Sequence, residues 1–160
     1  MQENFVSIIT IQKVINVIFI LHIVGCNAFE YAIHLFDEML GRDVTCWNTV
    51  ISCYYHDGQA KQALELFERM RGYGFEPNSV TLTTVISSCA RLLVLELERG
   101  KEIHMELVRN GSELHGFISS ALVVMYGKCG CLDTALEVFE HILRKTGFME
   151  LHDCRIRFKR

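Results

Sequence analysis

The sequence predicts an all-α fold, a solenoid of stacked helix-turn-helix units, from three observations. One five-residue pattern recurs, as LFDEM at 35–39, LFERM at 66–70 and VFEHI at 138–142. Apolar residues return at spacings of three and four, the period of one helix face, while strand-like alternation is scarce outside the N-terminus. The chain has 160 residues, half of them hydrophobic, and a single Pro, enough for a continuous helical core. One helical hairpin cannot cover both of its apolar faces; stacking successive hairpins does, and a chain that repeats itself is read as such an array.

Residues 1–25 do not follow the repeat. Phe5 to Val24 is apolar and β-branched, interrupted by Gln12, Lys13, Asn16 and His22. It has no basic leader and no clear small-residue cleavage site, and is neither Arg- nor Ser-rich, so signal and transit peptides fit poorly. The expectation is an atypical apolar first helix packed on the array. The alternatives are a membrane anchor, against which Lys13 and the polar interruptions count, and an artefact at the start of the chain. Within 26–43, Ala32, Leu35, Phe36 and Met39 form one helical stripe, closed by Gly41.

Residues 44–78 form the one full unit. Trp47, Val50, Ile51 and Tyr54 share one face of a first helix, and Asn48, Ser52 and Tyr55 another. A polar break at His56–Gly58 precedes a second helix starting near Gln59, whose stripe is Ala63, Leu66, Phe67 and Met70; Gly72, Gly74 and Pro77 close the unit. In 79–115, Thr83, Val85, Ile86 and Cys89 lie 35 residues beyond their counterparts, but Gly100, Ile103, His104 and Leu107 lie 37 beyond theirs. Two extra residues therefore sit within RLLVLELERG, where they should lengthen a turn or bulge a helix end. In 116–146, Ser120, Leu122, Val123 and Tyr126 give the first helix, Lys128–Gly130 the break, and Ala135, Val138, Phe139 and Ile142 the second stripe. Residues 147–160 leave the register, as expected of a frayed tail. The apolar residues at these repeat spacings are assigned to the core.

Net charge is −3, so no large basic surface advertises non-specific nucleic-acid binding, though a sparse, base-directed reader is compatible with it. The seven Cys are odd in number, several fall at core positions and none forms CxxC, which suggests buried, reduced thiols. Asn48, Thr83 and Ser120 are small, polar and lie just off the core stripe, one per unit. Such a row suits reading an extended polymer one element at a time, single-stranded RNA among them. It is equally the pattern of an ordinary exposed helix face.

VTCWNTVISCYYHDGQAKQALELFERM with its closing EPN, VTLTTVISSCA with RGKEIH, and SSALVVMYGKCGCLDTALEVFE resemble pentatricopeptide repeats of the plant type with mixed repeat lengths. The resemblance covers roughly 26–146, as a partial S-type repeat (26–43), a P-type (44–78), an L-type with a two-residue insertion (79–115) and an S-type (116–146). The W-x2-L-G-x2-Y first helix of tetratricopeptide repeats is missing. The resemblance implies single-stranded RNA binding in the mitochondrion or chloroplast, mostly for C-to-U editing, splicing or transcript stability. It implies base selection by Asn48 with Asn78, Thr83 with His115 and Ser120 with Thr146, and base sandwiching by Thr45, Val80 and Phe117. Asn48 with Asn78 is expected to favour a pyrimidine, and Thr83 and Ser120 to lean towards purine; His115 and Thr146 depart from the usual Asn or Asp. Phe117 also reads as an inter-repeat core residue.

Editing members of that family carry a deaminase domain, which needs H-x-E and a distant P-C-x-x-C. His104-Met105-Glu106 has the first half alone, and Cys129-Gly130-Cys131 has the wrong spacing for the second and leaves a tetrahedral metal site unfinished. The expectation is therefore no enzyme, no cofactor and no metal. The chain reads as an RNA-binding adaptor whose enzyme or other editing factors act in trans, or alternatively as a helical-repeat protein scaffold or a truncated product.

Overall fold

The computed structural model describes residues 29–39, 41–110 and 116–145. The expected N-terminal helix of 1–25, the tail of 147–160, and His115 and Thr146 lie outside the described residues. Among those described, every regular element is helical, in the order α1 (Phe29–Glu38), α2 (Val44–His56), α3 (Ala60–Gly72), α4 (Ser79–Leu92), a 3₁₀ turn (Leu93–Glu96), α5 (Leu97–Arg109), α6 (Phe117–Lys128) and α7 (Leu132–Lys145). The hairpins α2–α3, α4–α5 and α6–α7 stack in sequence after α1, an α-solenoid as the sequence predicts.

Each boundary has a local cause. Asp43 caps α2 by accepting from the Cys46 N–H at 2.9 Å, and Asn78 caps α4 with its side chain, which satisfies backbone donors that the helix cannot. The turns inside the first and third hairpins reverse on Gly58 (φ 85°) and Gly130 (φ 77°). There the next residue's N–H reaches back five residues, Gln59 to the Tyr54 carbonyl and Cys131 to the Tyr126 carbonyl, both at 2.9 Å. The middle hairpin has no such Gly. Its two inserted residues appear as the 3₁₀ turn, entered through Leu93 at φ 57°.

Trp47, Val50 and Ile51 of α2 meet Phe67 and Met70 of α3 in a core that continues through Val85, Ile86 and Cys89 to Leu122 and Met125. Trp47 anchors one end of it, with the Phe36, Tyr73 and Phe75 rings at 4.9, 5.7 and 6.0 Å. Gly100 of α5 leaves the space that the Met125 side chain occupies.

The first helices α2, α4 and α6 pack side by side as an inner row. The second helices are joined across the surface by ion pairs: Arg69–Asp37 at 3.7 Å, Arg99–Glu68 at 3.9 Å and Arg71–Glu106 at 3.2 Å. Such exposed pairs contribute little each, so the inner row carries the stacking.

Two expectations need correction. Phe139, assigned to the core stripe, is 46% exposed, as are Leu132 and Leu136 to a greater degree, because no described helix packs on that side of α7. Tyr55 does not share the outlook of Asn48 and Ser52; it lies under the Arg91 guanidinium, 4.1 Å from the ring centroid, and its carbonyl accepts from Arg91 at 2.7 Å. Residues 79–109 are long and apolar enough to cross a membrane by composition. In the fold they are two helices separated by the 3₁₀ turn, and Val85, Ile86, Cys89 and Ile103 lie in the core.

Candidate nucleic-acid interface

Asp43 and Asn78, the last residues of the first two units, are the N-caps of α2 and α4, whereas α6 starts from Gly116 with no side-chain cap. A helix cap sits at the start of its helix, and the residue four positions into the preceding first helix lies beside it across the inner row. Asn48 and Asn78, 30 residues apart in sequence, consequently touch: the Asn48 Nδ2 donates to the Asn78 Oδ1 at 3.0 Å. That same oxygen also accepts the Val80 and Thr81 N–H groups, at 3.0 and 3.1 Å. The Asn48 Oδ1 in turn accepts the Thr81 hydroxyl. Both amide oxygens are thus turned inward, and the Nδ2 of Asn78 carries no hydrogen bond among the described residues. Amide N–H groups, rather than carbonyls, are the groups left to an incoming ligand.

Two adjacent clefts run along the inner row. One, of about 470 Å³, is lined by Thr45, Asn48, Ser52, His56, Asn78 and Val80, with Thr49 and Cys53 beneath. The next, of about 460 Å³, is lined by Ser79, Val80, Thr83, Thr84, Gly116 and Phe117. Val80 borders both, 54% exposed, and Phe117 stands 84% exposed at the far wall. Phe117 is therefore not an inter-repeat core residue. Thr45 is exposed and lines the wall of the first cleft, opposite Val80 in the array. The Thr83 hydroxyl donates to the Ser79 carbonyl at 2.7 Å and that of Ser120 to the Gly116 carbonyl at 3.2 Å, so each keeps acceptor capacity but spends its proton locally. The structure brings together Asn48, Asn78, Thr45 and Val80, and then Val80, Thr83 and Phe117.

Charge is segregated. Helices α2, α4 and α6 contain no Asp or Glu, whereas α3, α5 and α7 carry Glu65, Glu68, Glu98, Glu102, Glu106, Asp133, Glu137 and Glu140. The carboxylates therefore lie away from the clefts, on second helices that carry as many Lys and Arg as Asp and Glu. Each first helix instead carries His56, Arg91 or Lys128 in its last turn, spaced 35 and 37 residues apart. Burial pushes the Cys53 thiol, at the floor of the first cleft, up to about 11, so it is neutral there at ordinary pH.

The H-x-E pair is separated by the fold. The His104 Nδ1 lies 2.9 Å from the Tyr126 hydroxyl, whereas Glu106 pairs with Arg71. Cys129 and Cys131 flank the turn between α6 and α7, with the Cys131 thiol facing the Cys129 carbonyl. Among the described residues no group of three or more His, Cys, Asp or Glu is placed to hold a metal. Thr81 was not singled out by the sequence pattern of the clefts. The signal that could have found it is the capping-box arrangement, a polar side chain three residues after the Asn78 cap.

Comparison with known proteins agrees with the fold. Residues 42–91 match the PPR repeat family and residues 117–146 match the PPR repeat. A pentatricopeptide repeat-containing protein of Arabidopsis thaliana is 59% identical over 120 residues, 75% of this chain and 17% of its own length. Two further Arabidopsis relatives, one named chloroplastic and one mitochondrial, are each 40% identical, over 75% and 71% of this chain and 12% and 17% of their own lengths. The chain thus spans less than a fifth of these relatives. The crystal structure of the pentatricopeptide repeat protein PPR10 from maize matches 82% of this chain and 19% of its own, with a TM-score of 0.66 at 25% identity. PPR10 in complex with an 18-nt psaJ RNA element matches 79% of this chain with the same TM-score. On the fold, the repeat register and these matches together, the chain belongs to the pentatricopeptide repeat family.

Proposed function

We propose that this chain binds single-stranded RNA along its inner row, one base per repeat, with Asn48 and Asn78 selecting a pyrimidine. The observation that carries the reading is the run of two adjoining clefts. In each, hydrogen-bonding side chains sit at the floor and exposed side chains, Val80 and Phe117, stand at the walls. A flat base entering such a cleft meets apolar or aromatic walls for its faces and amide N–H groups for its edge, the way single-stranded RNA is read. Pyrimidines offer the O2 acceptor on that edge. Thr83 with His115 and Ser120 with Thr146 are proposed as the following base-selecting pairs, with Thr45 a further sandwiching residue.

Lys128, at the end of the carboxylate-free helix α6, would meet a phosphate, whereas Arg91 is engaged with Tyr55. Few such contacts imply a shallow salt dependence and modest affinity. The relatives named chloroplastic and mitochondrial, and PPR10 with its RNA element, support an organellar RNA-binding role. Within it, the chain fits an adaptor in RNA editing or processing, of the plant subfamily with P-, L- and S-type repeats, whose chemistry is supplied in trans.

The test is fluorescence anisotropy of the full chain with short RNAs randomised one position at a time. A single pyrimidine-selective position is expected, and Asn48→Ala should reduce its preference about tenfold, the effect of losing one or two well-placed hydrogen bonds. Equal binding of every RNA, or of none while the protein is folded, would sink this reading.

A further inference from the structure

Asn48 and Asn78 do not stand alone in the cleft. The Thr81 side chain is fully buried beside them, and its hydroxyl oxygen is the node of a closed hydrogen-bonded cluster. It donates to the Asn48 Oδ1, accepts the Asn78 backbone N–H at 3.1 Å, and lies 3.1 Å from the Asn78 Oδ1. An amide side chain has nearly the same shape in its two flipped orientations, but they present opposite groups to a ligand. The Asn78 amide is fixed by capping α4, since its oxygen already accepts two backbone N–H groups. Asn48 has no backbone partner of that kind; its oxygen is held by Thr81.

We propose that Thr81 is a positioning residue for base selection. Its hydroxyl locks the Asn48 amide so that N–H groups face the base, making the discriminating unit a triad of Asn48, Asn78 and Thr81. This rests on the base-reading role proposed above.

The other junctions lack the third member. Cys46 occupies the corresponding place in α2 and Ile118 in α6, both buried and neither with a hydroxyl. Thr83, the counterpart of Asn48 in α4, instead turns its hydroxyl back on its own helix. Without the Thr81 hydroxyl, the buried Asn48 oxygen would have no donor, and the amide would swing out towards water, releasing the Asn78 oxygen from one of its three partners.

The experiment compares wild type, Thr81→Val and Thr81→Ser as full chains, using paired RNAs that differ only in a pyrimidine or purine at the Asn48-sensitive position. Val keeps the volume and removes the hydroxyl; Ser keeps the hydroxyl. The pyrimidine-to-purine affinity ratio should fall about fivefold in Thr81→Val, as for one lost hydrogen bond, and return in Thr81→Ser. Preference at the neighbouring position should not change. A folded Thr81→Val with an unchanged ratio overturns the role of Thr81 while leaving base reading intact. A wild type with no preference at all overturns the base-reading role itself, and the triad with it. Should Thr81→Val fail to fold, NMR of the wild type decides: a Thr81 hydroxyl proton protected from exchange supports the lock, and a freely exchanging hydroxyl overturns it.

Discussion

Cys53 and Cys89 show how burial sets chemistry one residue at a time. Cys89 is fully enclosed, and burial, reinforced by the Glu96 carboxylate, pushes its thiol up to about 12; burial alone takes Cys53 to about 11. An unburied thiol titrates near 9. Below pH 9 the folded and unfolded chains hold both protons, and these thiols give stability no pH dependence. Between pH 9 and 11 the unfolded chain releases protons that the folded chain keeps, so stability falls as pH rises, by up to about 1.4 kcal/mol per pH unit for each thiol. The expected outcome is a melting temperature that declines across this window, with a shallower decline in Cys53→Ala/Cys89→Ala; equal slopes would contradict it. In the same neutral form, both thiols should resist iodoacetamide in the native state.

At the scale of elements, the middle hairpin departs most from its neighbours. Leu93 occupies φ 57°, ψ −133°, where an L side chain is strained and glycine is not, and it is 45% exposed. Leu93→Gly should therefore stabilise the chain by about 1 kcal/mol despite the added freedom of the unfolded state, measured by urea denaturation; a loss of stability would show that the turn is held by the leucine side chain. The sequence announced this irregularity, since a repeat of 35 residues becoming 37 between Cys89 and Gly100 can only be absorbed in a turn or helix end. The stripes of three and four likewise placed Trp47, Val50, Ile51, Phe67 and Met70 in the core. What periodicity could not supply was direction beyond the array. Phe139 repeats Phe67 in sequence, but whether it is covered depends on a neighbour rather than on its own helix. The Thr81 cluster was illegible for a related reason: a hydroxyl at a buried helix position looks like any other core threonine until the preceding repeat's Asn48 is placed against it.

For the whole molecule, a solenoid derives its stability from nearest-neighbour interfaces, so identical positions in different repeats need not be worth the same. Leu64 and Leu136 occupy the same place in α3 and α7, 72 residues apart. Leu64 is fully buried where the next hairpin closes over it, whereas Leu136 is 58% exposed and joins Leu132 and Phe139 in a row facing no described helix. Leu64→Ala removes packed atoms and leaves a cavity, an expected loss of about 2–5 kcal/mol. Leu136→Ala should change stability by less than about 0.5 kcal/mol. Paired denaturation curves of the two variants measure the difference directly. A comparable loss for both would mean that α7 is covered in solution, and its row would then be an interface between repeats rather than an open face. The expected inequality instead puts the energetic weight of the array on the α2–α4–α6 row and the hairpins packed against it, the same scaffold that holds Asn48 and Asn78 in register along the clefts.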